Sequence, residues 1–278
     1  MQHSQQLLIL HASDVHIASH RVYQMSRWLR KNNLKVDIAL VSGDLADMPL
    51  ELCHSAPPEE TRDQHMLLDK VLEEFSPLAS KVYYVPGNHD AITTFSTEGQ
   101  DTDTSPCNVH MRRVTIAPNL ELLGLGGSVP GFRKGQKVWD GFPYLTDQEY
   151  SDDLSQLLDP VFGTQTLKET DAVIFMTHSG PEHCSTTISH VDPRSPIICG
   201  SQSLYTALCK EELQHHVILN VHGHTHEASG QVTIGNTTVI NPGALMDGNF
   251  GLYTLQQTNK IPGWRLSSVS LHKLSDED

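Results

Sequence analysis

Five short apolar runs, each ending at an acid/base or metal-capable residue, constrain this chain more than any other feature. LLILHAS (7–13) leads into Asp14-Val15-His16, VDIALVSG (36–43) into Asp44, and KVYYVPG (81–87) into Asn88-His89-Asp90. AVIFMT (172–177) leads into His178, and VILNVHG (217–223) into His224-Thr225-His226. Near-continuous apolar runs of this length are the pattern of strands covered on both faces. Imidazoles and carboxylates crowded at the ends of buried strands need protons, water or a cation beside them.

Helical periodicity fills the intervals. Val22, Met25 and Leu29 recur at i, i+3 and i+7 ahead of Asn32-Asn33, and Leu68, Val71, Leu72 and Phe75 at i, i+3, i+4 and i+7 ahead of Pro77. A third helix is expected over roughly 201–213. Strand–helix alternation predicts a mostly parallel sheet, whose ligand-bearing turns would converge in one crevice beyond the strands' carboxyl ends. After residue 226 the pattern changes. QVTI (231–234) and TTVI (237–240) flank Gly235-Asn236, a two-residue hairpin signal, and alternating segments near 250–256 and 264–271 predict an antiparallel C-terminal part. A further hairpin is expected around 113–125. Segments 46–64 and 91–112, rich in Pro, Ser, Thr or acidic residues, read as surface loops, and the acidic end near 274–278 as a frayed tail.

Composition sets the outer limits. A chain of 278 residues can bury one large core, and a single domain over 1–278 is the expectation. The formal charge of −14, from 19 basic and 33 acidic residues, disfavours nucleic acid as a partner. If the chain handles phosphate, its positive charge must come from elsewhere, and bound cations are the obvious source. No apolar run approaches the roughly 20 residues that span a bilayer, and the start, MQHSQQLLILHASDVH, has no basic n-region or small-residue cleavage site, so no leader is read. The five cysteines (Cys53, Cys107, Cys184, Cys199, Cys209) are scattered without a CxxC pair. That argues against a disulfide framework and a cysteine-based zinc site, and makes a cytoplasmic location the expectation.

Two divalent cations a few ångströms apart would each need several N/O ligands, one shared carboxylate and an open position for water. Asp14 and His16, at i and i+2, project to the same side of an extended chain, and His224 and His226 repeat that spacing. Gly43 permits close backbone approach beside Asp44. Carboxylates together with imidazoles suit Mn, Fe or Zn better than Ca.

Taken in order, Asp14-x-His16, Gly43-Asp44-x-x-Asp47, Gly87-Asn88-His89-Asp90, His178 and Gly223-His224-x-His226 resemble the calcineurin-like metallophosphoesterase signature in all five blocks, across residues 14–226. The resemblance implies an α/β fold of two packed mixed β-sheets flanked by helices, a four-layer αββα sandwich with the metals at one end. It implies that Asp14, His16 and His226 hold a first metal, that Asn88, His178 and His224 hold a second, and that Asp44 bridges both. A metal-bridging hydroxide would attack phosphorus in line. His89 would protonate the leaving oxygen, with Asp47 accepting a hydrogen bond from its ring. Two transition-metal ions (Mn, Fe or Zn) are the implied cofactors.

A small-molecule phosphodiester is the favoured substrate, ahead of a phosphomonoester. A phosphoprotein phosphatase of the superfamily would show Arg-Gly where Met48-Pro49 follows Asp47 here. A non-catalytic scaffold keeping the fold is the reading from a different class, although such proteins usually lose the acid histidine or a ligand, and none is lost here. Oligomeric state is not legible. Of seventeen histidines, five fall in the motif; the others, His222 among them, have no assigned role and are taken as surface or core residues. Asp90 is expected to hydrogen-bond its adjacent turn. His20 and Arg21 are placed in a solvated loop, with contact to a substrate phosphate as the alternative. The segment 124–145 is read either as a rim carrying Arg133 or Lys134 to the substrate or as an ordinary loop, with Trp139, Phe142 and Tyr144 packing.

Overall fold

A computed structural model describes residues 5–163 and 167–275. Its strands, in chain order, are β1 (Gln6–Ala12), β2 (Val36–Ser42), β3 (Ala79–Val85), β4 (Cys107–Asn108), β5 (Arg112–Ala117), β6 (Leu120–Leu125), β7 (Gly131–Arg133), β8 (Gln136–Trp139), β9 (Ala172–Thr177), β10 (Ile188–Ser189), β11 (Ile197–Ile198), β12 (Val217–Val221), β13 (Gly230–Ile234), β14 (Thr237–Asn241), β15 (Asn249–Gln257) and β16 (Trp264–Lys273). The helices are α1 (Ser19–Lys31), α2 (Leu50–Cys53), α3 (Pro58–Phe75), α4 (Asp147–Leu158), α5 (Gln202–Leu208) and α6 (Glu211–His216).

Two six-stranded mixed sheets face each other, in the orders β16-β15-β1-β2-β3-β4 and β13-β14-β12-β9-β6-β5. The alternation of side chains along a strand assigns each residue to a layer. On β1, Leu7 and Ile9 point between the sheets, where they meet Ile38, Leu40, Ile174, Met176, Leu219 and Val221. Leu10 points outward to Val22, Met25, Leu29, Leu68 and Phe75 of α1 and α3. On the far side, Leu123, Val173 and Phe175 pack against Tyr150, Leu154, Leu204 and Leu208 of α4 and α5. The αββα sandwich is therefore the observed architecture.

All five apolar runs are strands, and the hairpins at 113–125 and 231–240 and the antiparallel pair β15–β16 form as expected. Several boundaries are corrected. The segment 46–64 is no loop throughout: α2 lies within it and α3 starts at Pro58, because proline is tolerated at a helix's first position, where its missing N–H costs no bond. Within 91–112, β4 adds a parallel edge to β3, and Asn108 and His110 are buried. The helix expected over 201–213 is two helices, broken at Cys209-Lys210. At the acidic end, Leu274 is buried and its N–H donates to the Gly248 carbonyl at 2.9 Å, while 276–278 lie outside the described residues.

The segment 124–145 is neither a bare rim nor a plain loop. Its hairpin β7–β8 joins β10 and β11, which follow His178, in a small third sheet of order β10-β11-β7-β8. Phe142 and Tyr144 are packing residues, 2% and 4% exposed. Among the described residues no helix is long and apolar enough to cross a membrane.

Candidate metal centre

The turns that follow β1, β2, β3, β9 and β12 meet at one end of the sandwich. Asp14, His16, Asp44 and His226 each offer a donor atom, and these atoms all lie within 4.8 Å of one another. Asp44, His178 and His224 form a second group by the same measure, so Asp44 belongs to both. Asn88 completes that side: its Oδ1 is 2.9 Å from His178 Nε2. Each of the seven residues expected to hold metal thus reaches the same place.

Backbone geometry makes the approach possible. Asp14, Asp44 and His224 have positive φ (54°, 52° and 67°), a region that costs a non-glycine residue energy and that the surrounding hydrogen bonds enforce. Two glycines have no alternative. A β-carbon on Gly43 would collide with the His178 ring, and one on Gly223 with the Ser13 hydroxyl and the Asp14 carboxylate. Gly43 also sits at φ +97°.

The donor set is locked from behind. His178 donates from Nδ1 to the Ser42 carbonyl at 2.7 Å, which turns Nε2 toward Asp44. The Asp14 carboxylate accepts the His224 N–H at 3.1 Å and faces His226 Nε2 at 3.3 Å. Asp44 Oδ1 accepts the His89 N–H at 2.7 Å. Asp90 accepts from the N–H groups of Ala46 (2.7 Å), Gly87 (2.8 Å) and Leu45 (3.3 Å), tying the second and third turns together as expected.

The expected hydrogen bond from His89 to Asp47 is not formed: His16, Asp47 and His89 bring donor atoms within 4.8 Å of one another, but Asp47 accepts from His16 Nδ1 at 3.0 Å, while His89 donates from Nδ1 to the Met48 carbonyl at 2.8 Å. Asp47 is half-exposed beside His16, whereas Met48 is buried and its N–H donates to the His89 carbonyl at 2.8 Å. Nor are His20 and Arg21 in a loop. They belong to the first turn of α1, and the Arg21 guanidinium is engaged by the Met246 carbonyl at 3.3 Å and Gln24 Oε1 at 2.9 Å.

Electrostatics follow from this geometry. Burial opposes charge on His178 and His226, but Asp44 and Asp14 outweigh it and hold each imidazole protonated up to about 9 in the metal-free protein. The same pairing, against the cost of burial, keeps the Asp14 and Asp44 carboxyls below the usual carboxylate range. His224 goes the other way: burial, then the charge of His178, pushes its pKa down to about 3. Its Nε2 is buried with no hydrogen-bond partner. An orphaned imidazole nitrogen beside two buried carboxylates is costly in a protein alone and is the donor a cation would satisfy. The residues fit metal ions.

A supporting element went unread in the sequence. Residues 244–246 brace both ligand turns through backbone alone, Leu245 N–H to Ser13 O (2.8 Å), Met246 N–H to Asp14 O (3.1 Å) and Ala244 N–H to His226 O (3.2 Å). Asn241-Pro242-Gly243, a turn signal directly after a strand, was the available cue.

The model of calcineurin-like phosphoesterases matches residues 7–228. A dimetal phosphatase from Danio rerio superposes with a TM-score of 0.53 at 14% identity, covering 97% of this chain and 99% of that one. The calcineurin-like phosphoesterase YfkN from Bacillus subtilis gives 0.51 at 13% identity, over 98% of this chain and 91% of its own. Another crystal structure reaches 0.69 at 18% identity, over 98% of this chain and all of the other. At such identities the likeness speaks for the fold. No curated protein matches the chain.

Proposed function

The chain belongs to the calcineurin-like phosphoesterase family, and from that premise we propose that it hydrolyses small-molecule phosphodiesters with a dinuclear metal centre. The observation that carries this reading is Asp44, whose carboxylate is common to both donor groups and supplies the shared ligand a cation pair requires. Asp14, His16 and His226 would hold one cation with it, and Asn88, His178 and His224 the other. Carboxylate, imidazole and amide donors together favour Mn, Fe or Zn. When bound, the two cations supply an activated water and neutralise the phosphoryl oxygens.

The chain's own groups do the rest. Asp44 and Asp14, short of protons at neutral pH, bind as carboxylates. Nδ1–H of His178, held by Ser42, presents Nε2 to the second site; Nδ1–H of His16, held by Asp47, does the same at the first. Asp47 is therefore a positioning residue for His16. His89 stays off the metals: Met48 fixes Nδ1, leaving Nε2 to deliver a proton to the leaving oxygen.

A diester is favoured because the ion pairs of the site's described residues join histidines to aspartates, and the nearby Arg21 guanidinium is engaged by Met246 and Gln24. A diester brings one negative charge, and a monoester brings up to two. The five cysteines are free, four of them buried, which supports a reducing, cytoplasmic setting. Turnover of bis-(p-nitrophenyl) phosphate against p-nitrophenyl phosphate, with added Mn²⁺ and with chelator, tests the proposal. Chelator-sensitive, diester-preferring hydrolysis is expected. Preference for the monoester overturns the substrate class, and silence on both esters across a metal screen favours the scaffold.

A further inference from the structure

His222, the first histidine of the 222–226 cluster, is fully buried and has no place in the chemistry above. Its ring bridges two segments. Nδ1 lies 3.1 Å from the Gly223 carbonyl and Nε2 lies 3.0 Å from the Thr186 hydroxyl. A carbonyl can only accept, so the ring hydrogen sits on Nδ1 and the Nε2 lone pair takes the Thr186 O–H.

Both ends of this bridge are themselves fixed. The Gly223 N–H donates to the His178 carbonyl at 3.1 Å, and the Gly223 carbonyl also receives the Thr225 N–H at 2.8 Å. Gly223 is thus held on both sides of its α-carbon, immediately before His224. Thr186 is gripped a second time through its carbonyl by Asn241 Nδ2 (3.2 Å), which also donates to the Thr225 carbonyl (2.9 Å). The loop after His178 lies directly on the imidazole, since a β-carbon at Gly180 would collide with three atoms of the ring. His222, Thr186, Thr225 and Asn241 are all 2% exposed or less. The segment that follows His178 and the turn that carries His224 and His226 therefore meet at one side chain, and Asn241 ties the same two segments together a second time.

We propose that His222 is a positioning residue whose ring, by bridging the Gly223 carbonyl and the Thr186 hydroxyl, sets the turn that aims His224 and His226 at the metals. The inference rests on the dinuclear reading of the site. A residue that merely filled the core would accept an apolar substitute at a cost in stability alone. A positioning residue changes metal affinity in protein that is still folded, because the two imidazoles it directs belong to different sites.

The experiment is Mn²⁺ titration of the full chain, read by calorimetry, alongside the thermal midpoint of the metal-free protein. His222→Ala is expected to weaken Mn²⁺ binding by roughly 10–100-fold, the usual cost of losing a group that orients metal ligands. His222→Asn should recover most of that loss, because its amide nitrogen takes the place of Nδ1 and keeps the bond to Gly223. Thr186→Val, which keeps the shape and removes only the hydroxyl, should weaken binding in the same direction. Unchanged Mn²⁺ affinity in folded His222→Ala overturns the inference, and should that variant not fold, unchanged affinity in Thr186→Val does so. A wild-type chain that binds no Mn²⁺ instead refutes the metal centre itself, and the inference falls with it.

Discussion

The two ends of the sandwich are built from the same strands and hold different things. At the end where β1, β2, β3, β9 and β12 finish, small turns pack buried carboxylates and imidazoles into one cluster with an unsatisfied nitrogen at its centre. At the end where β6 and β12 begin lies a cavity of about 1230 Å³, lined by amides such as Asn119, Gln214, Asn236 and Gln257 together with Lys260 and Arg265. It contains no carboxylate among its lining residues. Volume alone would point to this end. Unmet demand for a ligand marks the other, because buried polar groups that the protein cannot satisfy are rare and expensive, whereas water satisfies exposed amides.

The comparison is open to attack at several points. Asp44→Asn, which removes the charge common to both donor groups, should lower turnover of bis-(p-nitrophenyl) phosphate by about 10³-fold or more; retained activity would break the account at its bridge. His89→Ala should reduce kcat by about 10²–10⁴, with metal content unchanged, as expected of a proton donor. Loss of metal in that variant would make His89 a ligand. Asp47→Ala should act differently from His89→Ala, weakening metal binding by roughly 10–100-fold through the loose His16 ring, and equal loss of kcat at saturating metal would return Asp47 to His89.

Protonation sharpens the contrast further. His178 and His226 stay charged up to about 9 without metal, above the ordinary histidine value of 6.5. Their ion pairs therefore stabilise the metal-free fold fully below about pH 6.5, and this contribution is lost as pH rises through about 9. Metal must displace those protons, so binding at pH 7 should release about two and tighten as pH rises; calorimetry in buffers of different ionisation enthalpy counts them, and release of none would mean the imidazoles are not the ligands. The smallest effect belongs to the opposite end. Lys260→Ala should leave hydrolysis unaltered, and a loss there would make the large cavity part of the enzyme.

Much of the candidate metal site was legible because parallel strands buried on both faces leave continuous apolar runs, and their carboxyl ends are where such sheets place sites. Gly235-Asn236 declared its hairpin for an equally local reason. What stayed hidden lacked a local pattern. The small sheet is made of strands of two to four residues from two segments distant in sequence, joined where Ile198 pairs with Phe132. Helix α4 did carry a signal, the reciprocal cap of Thr146 and Glu149, in a segment with no ligand to draw attention to it. The partner of Asp47 is set where three turns meet, with both histidines within 4.8 Å, and spacing cannot tell His16 from His89. The brace at 244–246 works through backbone N–H groups, which every residue but proline possesses.

The central claim is that Asp44 is shared by two cations, and metal stoichiometry tests it most directly. After reconstitution with Mn²⁺ and removal of excess, elemental analysis should find two ions per chain in the wild type and a marked loss from both sites in Asp44→Asn. A single ion per chain, or an Asp44→Asn variant that keeps both, would contradict it.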